Sequence, residues 1–199
     1  MLLYIIRHAE PDYAEIHGSP LTDRGNLQAL AAAKRLSVHG LDRIFTSPLK
    51  RAKETAKYTC ELLGKEAEVV DFLSEHFALD LFGGPLPDGK RYWIFGQKNH
   101  EMRTNENLNM KMADAAKAPC LSVIDYDAGF KKLAAEADKF FEERLGYKRE
   151  GAVYKILKPN NNERVAFSAI RGSVCICLLI CLLYRFRYLS AVSTSRILL

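Results

Sequence analysis

Three short segments carry the side chains best suited to chemistry. Arg7-His8-Ala9-Glu10 directly follows the apolar run Leu2 to Ile6. An imidazole can attack the phosphorus of a phosphoryl group, and a neighbouring guanidinium can hold the equatorial oxygens through two parallel hydrogen bonds. The second segment, Thr46-Ser47-Pro48-Leu49-Lys50-Arg51-Ala52-Lys53-Glu54-Thr55-Ala56, sits at the end of a candidate strand and opens a helix. Arg51 therefore falls in a first helical turn, where free backbone N–H groups and the positive helix end favour a dianion. Leu73-Ser74-Glu75 follows a third candidate strand, and a carboxyl there can protonate a leaving-group oxygen. Taken singly, each segment has a plainer reading: Arg7-His8 as a strand-edge pair, Lys50, Arg51 and Lys53 as a solvated basic face, Glu75 as a surface carboxylate. The combination singles them out, because open α/β sheets bind ligands beyond the C-terminal ends of their strands.

The elements that must position these residues are legible in outline. Leu2 to Ile6 is apolar throughout, as suits a strand buried on both faces. Thr22 opens a helix, with Leu27, Leu30, Ala31, Lys34 and Leu36 near helical spacing and Gly40 as its stop. Arg43 to Thr46 is a second strand, Leu49 to Leu63 a helix ended by Gly64, and Ala67 to Phe72 a third strand. Strand, helix, strand, helix, strand in this order predicts a mostly parallel sheet with helices on its faces. From His76 to Pro119 the pattern dissolves into an insertion or lid (76–119), with Met110 and Met112 as packing residues. Arg91, Tyr92, Trp93 and Arg103 of that stretch are open to two readings, as specificity-pocket lining or as packing and surface residues. Ala128 to Leu145 is an amphipathic helix with Phe130, Leu133, Ala134 and Phe141 on one side. Ala152 to Leu157, a turn at Pro159 to Asn162, and Arg164 to Phe167 read as a hairpin feeding another core strand.

Arg-His-Ala-Glu after the first strand, Leu21-Thr22-Asp23-Arg24-Gly25 leading a helix, then Ser-Pro-Leu-Lys-Arg-Ala-x-x-Thr-Ala resembles the histidine phosphatase superfamily, also called phosphoglycerate mutase-like. The resemblance extends to about Phe167, over four-fifths of the chain. It implies a three-layer α/β/α sandwich with a mostly parallel central sheet, formed by 1–199 as a single domain. It also implies a phosphohistidine intermediate on His8, a phosphate pocket containing Arg7 and Arg51, and a proton donor at Glu75. Ala9 stands where the family often has glycine.

The same resemblance calls for a second histidine in a strand-end motif, apolar-apolar-Cys-His-x-Gly-x-Gly, near the C-terminus. Here Arg164 to Phe167 supplies the strand, but Ser168-Ala169-Ile170-Arg171-Gly172-Ser173 follows, and no histidine lies beyond His100. Ile170 has no hydrogen-bond donor to offer a phosphate oxygen. Loss of one such donor typically costs about 3–4 kcal/mol of transition-state stabilisation. Arg171 is the next residue along the strand and should face the other way. Under the standard genetic code, Phe-Ser-Ala-Ile-Arg-Gly-Ser-Val can be spelled so that reading one nucleotide earlier gives Phe-Cys-His-Gln-Gly-Phe-Gly. The segment 168–199 therefore reads either as the product of a frameshift or as a divergent tail whose apolar run, Cys175 to Tyr184, must be buried.

Composition narrows the remaining choices. At 199 residues, 48% hydrophobic and 27% charged, the chain has material for a core and charge for solubility, which excludes disordered and fibrous classes. Of the net +5, four arginines without any acidic residue fall in 168–199, leaving +1 for the rest, so nothing suggests a nucleic-acid partner. The apolar run Ser173 to Tyr184 is well short of the ~20 residues that cross a bilayer, and no membrane partner is expected. Five cysteines, three of them in that run, and no zinc-like spacing point to a reducing, cytoplasmic setting with no metal and no other cofactor. The expected partner is a small phosphorylated substrate. Two functions remain open: a phosphatase acting through a phosphohistidine but impaired by the absent histidine, or a catalytically inactive pseudophosphatase that binds phosphorylated ligands or a protein. Oligomeric state is not readable.

Overall fold

Four short segments, each at least partly buried, decide the architecture. In a computed structural model, which describes residues 1–14, 19–85, 91–93, 125–151, 153–158 and 162–169, these segments become parallel strands of one sheet. Strand β1 spans Leu2–Arg7, β2 Arg43–Thr46 and β3 Ala67–Val69, while β8 (Arg164–Ala169) lies between β1 and β2. The register aligns Ile5 and Phe45 with opposite sides of Phe167. Helix α1 (Asp23–His39) links β1 to β2, and α2 (Lys50–Leu63) links β2 to β3.

Alternate residues of each strand serve different layers. Tyr4, Ile44 and Ala166 pack with Leu36, Leu41 and Ala56 on the α1/α2 side. Leu3, Ile5, Phe45, Val165 and Phe167 point the other way, into a larger cluster with Leu133, Ala137 and Phe140 of α4 (Tyr126–Phe140). Phe140 sits at the centre of that cluster, edge-on to Phe45 at 4.9 Å, Phe72 at 5.3 Å and Phe167 at 5.8 Å between ring centroids. Edge-to-face contacts of this kind add about 0.5–1.5 kcal/mol each beyond burial. Helices thus cover both faces, giving the three-layer α/β/α sandwich with a parallel sheet that the sequence predicts.

The buried stripe of α1 is Gly25, Ala29, Ala33 and Leu36, whereas Leu27 is exposed. Small residues on that stripe allow α1 to lie close to its neighbours. Both expected stops hold: Gly40 and Gly64 terminate α1 and α2.

Three boundaries differ from expectation. The third strand ends at Val69, although Val70 N–H still donates to Thr46 O at 2.9 Å; Asp71–Leu73 then tightens into a 3-10 turn that buries Phe72 and Leu73. The stretch from His76 begins as helix, α3 (Glu75–Phe82), because Ser74 caps it by accepting from His76 N–H at 3.1 Å. After α3, β4 (Gly83–Pro85) pairs antiparallel with β5 (Arg91–Trp93). The remainder of 76–119, including Arg103, Met110 and Met112, lies outside the described residues.

The hairpin expected between Ala152–Leu157 and Arg164–Phe167 does not form. β7 (Val153–Ile156) instead pairs antiparallel with β6 (Tyr147–Glu150), which follows α4 through a π-helical turn, Phe141–Leu145. Gly151 makes this possible, since its φ of +63° is a left-handed conformation that side-chain-bearing residues rarely adopt. β8, buried from Val165 to Ala169, suits the middle of the main sheet rather than a two-stranded ribbon. No helix among the described residues is long and apolar enough to cross a membrane.

Candidate active site

All four strands of the main sheet run parallel, so their C-terminal ends share one edge. The backbone hydrogen bonding continues just past the strands there. His8 N–H donates to Ala169 O at 2.9 Å, and Ser47 N–H to Ser168 O at 3.0 Å. His8 is thereby fixed at the end of β1, Ser47 at the end of β2, and the chain then turns into α2.

His8 is 6% exposed. Its Nδ1 lies 2.7 Å from Ala9 O. A carbonyl oxygen has no proton to give, so Nδ1 carries the hydrogen and Nε2 keeps its lone pair. Burial pushes the imidazole below its ordinary 6.5; the bond to Ala9 O acts the other way, and the positive charges of Arg51 and Arg7 reinforce the depression. The result favours the neutral imidazole, protonated at Nδ1, within the field of two guanidinium groups.

Arg51, also 6% exposed, donates from Nη2 to Glu75 Oε2. Its Nε is buried and has no hydrogen-bond partner among the described residues. A buried donor left unpaired is costly, and an anion beside it supplies the missing acceptor. The Glu75 side chain remains 30% exposed, at the first residue of α3, held there by the Ser74 cap. Arg7 is exposed at the end of β1 and pairs with no acidic side chain among the described residues. The structure thus brings Arg51 and Glu75 into contact and sets His8 within the field of both arginines.

Much of the supporting framework comes from motif positions to which the sequence assigns no role. Thr55 Oγ1 accepts from Ala9 N–H at 3.0 Å and donates to Arg51 O at 2.7 Å. Glu54 Oε2 accepts from Leu21 N–H at 2.7 Å, tying α2 to the segment that enters α1. Gln28 Oε1 accepts from Glu10 N–H at 2.9 Å. Thr22 caps α1 by accepting from Gly25 N–H at 2.9 Å, and its own N–H donates to Glu10 O at 3.0 Å. Gly25 is glycine for a steric reason: a Cβ there would stand 2.1 Å from Glu10 O. The one advance signal for Thr55 is its spacing, one helical turn beyond Arg51 and on the same face.

Two hollows lie away from this strand edge among the described residues, a void of about 10 Å³ between α1, α2 and the sheet and a groove of about 210 Å³ beside Arg43, Lys65 and Glu68. Neither is lined by His8, Arg51 or Glu75, so the chemistry-bearing residues are recognised by their placement and not by an enclosed hollow. No group of three or more His, Cys, Asp or Glu among the described residues is placed to hold a metal ion. Ile170 and Arg171 lie outside the described residues, as does the rest of the segment after Ala169.

Residues 3–89 match the family model of the histidine phosphatase superfamily (branch 1). An uncharacterized protein of Picosynechococcus sp. is 37% identical over 165 residues, spanning 69% of this chain and 92% of that protein. The chain belongs to the histidine phosphatase superfamily. Among solved structures, the fold is similar to that of an alpha-ribazole phosphatase from Shigella flexneri, with a TM-score of 0.52 and 18% identity over 90% of this chain and 78% of that one. It is also similar to a phosphoserine phosphatase from Entamoeba histolytica solved with 3-phosphoglyceric acid (TM-score 0.51, 17% identity, 89% and 77% covered). At these identities the likeness is one of fold.

Proposed function

We propose that the chain is a phosphomonoester hydrolase in which His8 is the nucleophile. Its Nε2 attacks phosphorus while the bond to the leaving oxygen breaks. Arg51 and Arg7 balance the charge on the phosphoryl oxygens, which needs no rearrangement at the moment of reaction because the guanidinium of Arg51 is already locked in place. Glu75, as the carboxylic acid, gives its proton to the leaving oxygen. Water then attacks the phosphohistidine, loses a proton to the Glu75 carboxylate, and inorganic phosphate leaves. The substrate is a small phosphorylated metabolite.

The observation that carries this reading is the setting of His8: buried, its Nδ1 against Ala9 O, and within the field of Arg51 and Arg7, which with burial lower its pKa. Membership of the histidine phosphatase superfamily supports the reaction class. Ile170 in place of a histidine favours a low turnover, and it is the one observation that also favours an inactive phosphate-binding protein. Release of p-nitrophenol from p-nitrophenyl phosphate separates the two. Hydrolysis that disappears in His8→Ala is the expected result. No hydrolysis by the unaltered chain, together with binding of inorganic phosphate, would instead establish the second reading.

A further inference from the structure

The bond from His8 Nδ1 to Ala9 O selects the tautomer with a free Nε2, but it does so only while the Ala9 carbonyl keeps its direction. The Glu10 N–H, in the same peptide as that carbonyl, donates to Gln28 Oε1 at 2.9 Å in an exposed contact, and two buried anchors hold the peptides just before it. His8 N–H donates to Ala169 O at 2.9 Å on one side. On the other, Ala9 N–H donates to Thr55 Oγ1 at 3.0 Å, in a buried contact between residues 46 apart in sequence. The Thr55 hydroxyl proton goes to Arg51 O at 2.7 Å, which leaves its oxygen lone pairs facing the Ala9 amide. One hydroxyl therefore joins the loop that aims the imidazole to the helical turn that carries the Arg51 guanidinium. Thr55 is 4% exposed, so water cannot easily replace it.

We propose that Thr55 is a positioning residue: its hydroxyl, held between Arg51 O and Ala9 N–H, fixes the His8–Ala9 peptide, next to the carbonyl that selects the His8 tautomer, and keeps the imidazole in register with Arg51. The assignment rests on the reading of His8 as the nucleophile. Removing the hydroxyl while keeping the β-branched shape, as in Thr55→Val, leaves the Ala9 amide buried without an acceptor and frees the adjoining carbonyl to rotate. Thr55→Ser retains both hydrogen bonds.

Two-bond 1H–15N spectra of the histidine rings in the full chain test this directly, with His8→Ala used to assign the signal. The unaltered chain is expected to show His8 protonated at Nδ1. Thr55→Val is expected to shift the ratio towards the Nε2–H form by roughly fivefold or more, the equivalent of losing one hydrogen bond, and Thr55→Ser to restore it. Turnover of p-nitrophenyl phosphate is expected to fall about tenfold in kcat, with KM little changed, in step with the ring signal. A folded Thr55→Val chain with an unchanged tautomer ratio overturns the proposal, whatever happens to its melting temperature. If Thr55→Val does not fold, the unaltered chain remains decisive, because an Nε2–H ring there overturns it as well. The ring spectra need no catalysis. A tautomer shift in a chain without His8-dependent hydrolysis contradicts the hydrolase reading alone, and His8-dependent hydrolysis with an unmoved tautomer contradicts the role of Thr55 alone.

Discussion

At the scale of single residues, the role proposed for His8 as nucleophile turns on its charge state. A protonated imidazole has no lone pair for phosphorus. Burial, together with Arg51 and Arg7, holds the group neutral below its ordinary 6.5, and only the Ala9 carbonyl opposes this. For the free enzyme the acid limb of kcat/KM is therefore expected below pH 6.5, and a limb at or above 6.5 contradicts the burial argument. The same shift has a sign in stability. Above pH 6.5 the ring is neutral in both folded and unfolded chains and contributes nothing; as pH falls through 6.5 the unfolded chain takes the proton first, and stability is lost until the folded value is reached. A urea midpoint measured from pH 7.5 to 5 should fall less in His8→Ala than in the unaltered chain.

At the scale of elements, the site is a matter of how α1 and α2 are held against the ends of β1 and β2. Gly25 lets the first turn of α1 press on the Glu10 carbonyl, where a Cβ would stand at 2.1 Å. The obstacle is backbone, which cannot swing aside. Gly25→Ala is expected to destabilise the chain by about 1–3 kcal/mol, the usual range for overpacking, read from urea unfolding. It is also expected to lower kcat, because Glu10 follows His8 by two residues. Unchanged stability would show that α1 can shift freely. Legibility from sequence divides at this scale. Arg7, His8, Arg51 and Glu75 stand out in the sequence as candidates because each follows a strand signal, where strand and helix patterns meet. Thr55, Glu54 and Gln28 do not, since their bonds to Ala9, Leu21 and Glu10 join residues far apart in the chain and exist only once α1 and α2 lie over the sheet. The β6–β7 pairing escapes the sequence reading for a local reason: the single Gly151 that turns the chain is a weaker composition signal than the Pro159 to Asn162 cluster.

For the molecule as a whole, a three-layer frame continues through β8 to Ala169, two residues past Phe167, where the resemblance in sequence gives out. If the proposed hydrolase lacks the donor that a second histidine would supply at position 170, Ile170→His is expected to raise kcat for p-nitrophenyl phosphate on the order of a hundredfold. No gain would mean that the segment after Ala169 cannot present the ring to the phosphate. The frameshift reading of 168–199 is checked in the encoding DNA: a shift of one nucleotide should restore Phe-Cys-His-Gln-Gly-Phe-Gly, and its absence identifies a divergent tail.

The most direct test of the account is to look for the covalent intermediate. The chain is incubated with p-nitrophenyl phosphate, quenched in alkali and digested, and its peptides are examined by mass spectrometry for an acid-labile phosphoryl group. The expected result is one such group, on the peptide containing His8, absent from His8→Ala. Hydrolysis without any phosphohistidine, or a phosphoryl group on another residue, would contradict His8 as the nucleophile.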